Sequence, residues 1–199
     1  MLERMRNMFE KLKRMMLSPV KFFNDVRSEN WKPSLIFFLW VMLIISIITP
    51  ILNYFGVESN DLSSSCQAQI AAYNYMKNHL INTYGILSYI IEGILILVFS
   101  FPILLSLTLI LHFVYRLIGG KGSILNGWKA ACYGLGPCLL GGFLPYVSLF
   151  AAFYSFSMQF YLGPMALYRV KQSKAIIIFT SFIALSFIEM YVFGTTVDW

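Results

Sequence analysis

Gly119-Gly120-Lys121-Gly122-Ser123 sets a lysine and a hydroxyl among glycines, the ingredients of a loop whose backbone amides cradle phosphate. Such a loop needs the order G-x-x-x-x-G-K-[ST] between a strand and a helix. Here Gly122 separates Lys121 from Ser123, and long apolar runs lie on both sides. The segment therefore reads as a turn, its glycines ending one helix in a left-handed conformation and Ser123 starting the next.

Other reactive residue types are sparse and scattered. His79 and His112 fall in different segments, and neither H-E-x-x-H nor G-x-S-x-G occurs. Cys132 and Cys138 would sit about 240° apart around one helix, poorly placed to pair or to share a metal. Cys66 lies alone in a third segment. The pattern predicts no metal site, no cofactor and no enzyme chemistry. Glu92 and Glu189 are the acids inside otherwise apolar runs, which makes them the candidate ion or proton site. Counted at helical rise, Glu189 is about 22 Å beyond Lys174 and Glu92 about 36 Å from Arg116. Both readings stay open, a shared binding site or two solvated carboxylates at the rim. Tyr133, Gly134, Gly136, Pro137, Gly141 and Gly142 form a further constellation. Small residues allow close helix contact, and Pro137 denies the Tyr133 carbonyl its helical donor. The motif is either a packing kink or a broken helix lining a cavity.

The elements that carry these residues follow from composition. The chain is 58% hydrophobic and 12% charged, far from a soluble domain. A membrane crossing needs about 20 apolar residues. Candidate spans fall at 33–54, 84–118, 124–144, 146–170 and 175–193, which predicts an all-α, five-span membrane bundle. The second run is too long for one perpendicular crossing, so a kink at Pro102 or an extension past the outer surface is expected.

All but Lys77 of the 15 Lys and Arg lie before the first span, around the 119–129 turn, or at 169–174. Cytoplasmic loops carry such an excess, so the N-terminus is expected inside and the C-terminus outside. The glycine turn is then cytoplasmic, and the charge of +6 marks loops rather than nucleic-acid binding. Residues 1–32 form a cytoplasmic amphipathic segment. Leu2, Met5, Met8, Phe9, Leu12, Met15 and Met16 recur at helical spacing, with Arg4, Arg6, Lys11, Lys13 and Arg14 placed to meet anionic headgroups. That helix lies on the leaflet or packs on the bundle's cytoplasmic ends. Ser18-Pro19 starts a short helix through Val26, and Trp31 and Lys32 anchor the first span. A second amphipathic helix is expected over 63–82, with Ile70, Tyr73, Met76, Leu80 and Tyr84 on one stripe.

The stretch YRLIGGKGSILNGWKAACYGLGPCLL, then an apolar run, PMALYRVKQSKA and a last span, resembles the Yip domain family. These are five-span relatives of the membrane proteins named for interacting with Ypt/Rab GTPases. The opening SPVKFFNDVRSENWKPSLIFF is similar to the entry segment of prokaryotic members. The resemblance implies a non-enzymatic protein of a prokaryotic plasma membrane, a scaffold or adaptor in membrane organisation or trafficking. Its partners would be the bilayer with its anionic headgroups, a second copy of the chain, or another membrane protein. The alternative is an oligomeric channel or small-solute transporter using polar groups of the second, third and fifth spans.

Overall fold

The structure, a computed structural model, describes residues 2–55, 67–139 and 148–195, with side chains omitted at 2–5, 67–74, 148–149, 186 and 189–195. Among these residues there are helices and no strand.

Helix α1 (Leu2–Leu17) and α2 (Pro19–Val26) fold back on each other at Ser18. Pro19 occupies the first helical position of α2 and pushes Ser18 out of the helical region, to φ −146°, ψ 61°. The Ser18 hydroxyl makes no capping bond. Helix α3 (Trp31–Tyr54) begins two residues earlier than position 33, because Asn30 Oδ1 accepts the Trp31 N–H at 2.7 Å. Helix α4 (Gln67–Tyr84) ends at Gly85, whose φ of +56° is left-handed. That glycine separates Tyr84 from α5 (Leu87–Leu117), so the apolar run 84–118 is divided at its start.

Helix α5 is continuous for 31 residues and passes through Pro102. At 1.5 Å per residue it is about 46 Å long, well beyond a bilayer's hydrocarbon core. Helix α6 (Ile124–Gly134) stops ten residues short of the expected 144. Beyond it, helices α7 (Ser148–Ser157) and α8 (Gly163–Tyr168) flank a π-helical turn, Met158–Leu162. Arg169, at φ 53°, ψ 41°, ends this column, and α9 (Gln172–Thr195) follows.

The core gathers at one end of the molecule. Helix α6 packs against α3 and α5, while α2 packs on α8 and the π turn. Phe23, Phe37, Phe38, Leu111, Tyr115, Tyr133 and Tyr168 are fully buried there. Elsewhere α5 presents Ile90, Ile94, Val98, Phe99, Ile103, Leu105 and Leu109 to the outside. Helices α3 and α5 each contain an 18-residue stretch of mean hydropathy 2.8 and have the length to cross a membrane. An apolar patch of this extent would aggregate in water and suits a lipid surround.

Helices α3 and α5 approach closely where a Cβ on Gly93 would lie 2.6 Å from the Ser46 carbonyl. Pro50 has no N–H to offer that carbonyl, so the bare Gly93 backbone covers the acceptor. On α4, Met76 and Leu80 line a small cavity against Tyr89 and Glu92 of α5, while Tyr75 and Tyr84 are exposed. Ile70 and Tyr73 of the expected stripe lie outside the described side chains.

Candidate functional site

The break after α6 is where the N-terminal hairpin seats. Gly136 donates its N–H to the Tyr133 carbonyl at 2.9 Å, and Cys138 donates to Leu135 at 3.0 Å. These tight turns supply the donor that Pro137 cannot. The Gly134 carbonyl accepts the Ser155 hydroxyl from α7. The carbonyls at the break thus have partners inside the protein. Gly134 packs on Gln159, where a Cβ would lie 2.2 Å from Gln159 Cγ. Gly136 faces Met15, Leu12 and Phe37. Gly141 and Gly142 lie outside the described residues.

Polar contacts hold the hairpin over that seat. Lys11 Nζ donates to Glu29 Oε1 at 2.7 Å, and Tyr133 OH donates to Glu29 Oε2 at 2.7 Å. The Lys11 ammonium also lies 5.5 Å from the Tyr133 ring centroid. Arg14 pairs with Asp25 across the hairpin at 2.6 Å. Phe9 meets Trp40 edge-on at 4.9 Å, and Tyr154 OH donates to the Met16 carbonyl. Two of the α1 cations expected at headgroups, Lys11 and Arg14, thus hold carboxylates of the chain. Arg6 and Lys13 are exposed. The Arg4 side chain lies outside those described.

Lys129 is a residue that sequence reasoning counted as a loop cation. It is 4% exposed, and its Nζ donates to the carbonyls of Val26 and Arg27 at 3.0 and 2.8 Å. These are the last carbonyls of α2, where a cation suits the helix dipole. Glu29 was likewise missed. Its signal was an acid directly before a cationic span entry.

The glycine turn sits against the end of α8. Gly119 has φ +87°, and Gly120 donates to the Tyr115 carbonyl at 2.8 Å. Lys121 N–H donates to the Tyr168 carbonyl at 2.8 Å, and a Cβ on Gly122 would lie 2.4 Å from the Tyr168 ring. Ser123 caps α6 by position, without a side-chain bond. Asn126 Nδ2 donates to the Leu167 carbonyl and Lys174 Nζ to the Ile118 carbonyl, each at 3.0 Å. Tyr168 OH meets His112 Nδ1 at 3.0 Å. The two basic turns, 119–123 and 169–174, are therefore one assembly. Deeper in, Pro164 deprives the Phe160 carbonyl of its helical donor, and the buried Tyr115 hydroxyl donates to that carbonyl instead.

Glu92 lies at the opposite end, partly buried on α5. Its Oε1 accepts from Asn53 Nδ2 of α3 at 2.6 Å. Glu189 is on α9, with its side chain outside those described. Helix α9 makes its main contacts with the π turn and α8. Cys132 is buried, Cys138 half-buried, and both are free thiols. Cys66 lies outside the described residues.

Residues 13–193, most of the chain, match the family model described as the Yip1 domain. No curated protein and no solved structure matches.

Proposed function

From the premise that this chain belongs to the Yip1 domain family, and is a membrane protein, we propose a non-enzymatic scaffold or adaptor of a prokaryotic plasma membrane. In this reading five spans cross the bilayer, with the N-terminus in the cytoplasm and the C-terminus outside. The observation that carries it is the seating of α1 and α2 on the α6 break through Lys11, Glu29, Tyr133 and Lys129. A hairpin held by both apolar packing and partly buried polar bonds presents its outer surface in a fixed orientation. Arg6, Glu10 and Lys13 project from that surface. Fixed display of charge suits recognition of another protein. The carbonyls freed by Pro137 and Pro164 have internal partners, which favours rigidity over ion coordination.

Two experiments test this. A photoreactive residue in place of Lys13, in the native membrane, is expected to crosslink to a second copy or to another membrane protein. Crosslinks to lipid alone would overturn the adaptor role. An impermeant thiol reagent on intact cells is expected to label Cys66 and to spare Cys132 and Cys138. Labelling of Cys66 only after the membrane is opened would reverse the orientation.

A further inference from the structure

Outside α1, a second group of cations lacks carboxylate partners. Among the described residues, Arg27, Lys121, Arg169 and Lys171 have no carboxylate within ion-pair distance. The fold brings them together from three separate loops. Lys121 is hydrogen-bonded through its backbone to Tyr168, the residue before Arg169. Arg27 caps α2, which packs directly on α8. Burial and the neighbouring Arg169 guanidinium hold the Arg27 guanidinium below its ordinary value. The packing of α2 on α8 thus sets two like charges at neighbouring helix ends, a repulsion that an anion between them would relieve. The left-handed turn at Arg169 and the Lys129 bond to the Arg27 carbonyl define the backbone at the two positions.

We propose that Arg27 and Arg169 clasp the phosphate of an anionic membrane lipid, with Lys121 and Lys171 flanking it. The planar forks of two guanidinium groups fit phosphate oxygens bidentately, which ammonium groups cannot do. Arg27 lies just before Trp31, the first residue of an apolar helix, and Arg169 just before Gln172, where α9 begins. Both are therefore at the level where span ends meet headgroups, which favours a lipid phosphate over an acidic protein. The placement of this face at the cytoplasmic leaflet rests on the orientation proposed above, but the binding itself does not.

The test uses the purified full chain in detergent micelles, where sidedness plays no part. Retention of phosphatidylglycerol and of phosphatidylcholine is measured by native mass spectrometry. The wild type is expected to retain phosphatidylglycerol in preference. Arg27→Gln with Arg169→Gln is expected to weaken that retention by roughly tenfold or more. Arg6→Gln with Lys13→Gln, an equal loss of charge on α1, is expected to change it less than about threefold. Arg27→Lys with Arg169→Lys keeps the charge, removes the forks and is expected to fall between. Unchanged thermal unfolding of each variant shows that the fold is intact. Inorganic phosphate at millimolar concentration is expected to compete poorly; full displacement by it would assign a free-phosphate site instead of a lipid. Equal retention of both lipids, or an equal effect of the α1 pair, would overturn the clasp and leave an acidic protein as the partner of this face. Orientation is read separately from impermeant labelling of Lys121→Cys in sealed vesicles, so the two ideas fail independently.

Discussion

A Cβ built on Gly136 would lie 2.2 Å from the terminal methyl of Met15, so the bare backbone of one residue is the seat of the other. Met15 is fully buried there, and Leu12 approaches the same position. The apolar face of α1 that could enter a leaflet is the face used in this contact. Docking on the bundle and insertion into lipid are therefore exclusive for Met15 and Leu12.

Gly136→Leu is expected to displace α1. Overpacking of a filled site costs about 1–3 kcal/mol. Hydrogen exchange in residues 8–17 should quicken, while the central turns of α3 and α5 stay protected. Gly136→Ala should be milder, because the Met15 side chain can swing away. Unchanged protection in the leucine variant would show that α1 is not seated here.

The Lys11–Glu29 pair lends itself to a double-mutant cycle. Each side chain is 27% exposed, so the coupling should lie at the upper end of the surface-pair range, about 0.5–1 kcal/mol. Glu29→Gln keeps an acceptor for Tyr133 OH and should cost less than Glu29→Ala. If the two Glu29 variants are equally destabilised, the hydroxyl bond contributes nothing.

The two glycines of one turn should behave oppositely. A Cβ on Gly122 would strike the rigid Tyr168 ring at 2.4 Å, whereas one on Gly119 meets nothing within 4 Å. Gly119→Ala carries only the strain of its positive φ, about 1 kcal/mol. Gly122→Ala should lower the unfolding temperature clearly more. The reverse order would contradict the packing of this turn on α8.

Much of the helical class was legible because it rests on composition and local signals. The apolar runs at 33–54 and 84–118 fix two long helices, and Ser18-Pro19 marks the bend between α1 and α2. The partners of charged residues were not legible. Lys129 reads as a loop cation because a sequence has no depth, and only packing shows it bonded to the α2 carbonyls. Glu29 and Tyr133 are far apart in the chain, so no local spacing joins them. The π turn had one signal, Pro164, which predicts a missing donor at Phe160 but not that Tyr115 would supply it.

Tyr115→Phe removes only that hydroxyl. The Phe160 carbonyl would then be buried without the donor that replaces its helical one, at a cost of about 1–3 kcal/mol. Thermal unfolding in detergent measures it. A neutral substitution would mean that the π turn satisfies its carbonyls unaided.

Glu92 distinguishes the scaffold from a conducting bundle. Its carboxylate accepts from Asn53 across the α3–α5 contact, next to the close approach of Gly93 to Ser46. In that position it acts as an interhelical acceptor, a role the amide oxygen of glutamine can also fill. Glu92→Gln is therefore expected to shift stability by less than about 1 kcal/mol, whereas Glu92→Leu, which offers no acceptor to Asn53, should cost about 1–3 kcal/mol. A permeation or proton-exchange site makes a different demand, because it needs the charge itself. Purified protein in liposomes under imposed proton, sodium and potassium gradients separates the two. The expected outcome is no flux above protein-free vesicles, for wild type and Glu92→Gln alike. Flux in the wild type that Glu92→Gln abolishes, with stability unchanged, would replace the scaffold with a carrier or channel. It would also make the Asn53–Glu92 pair part of the site.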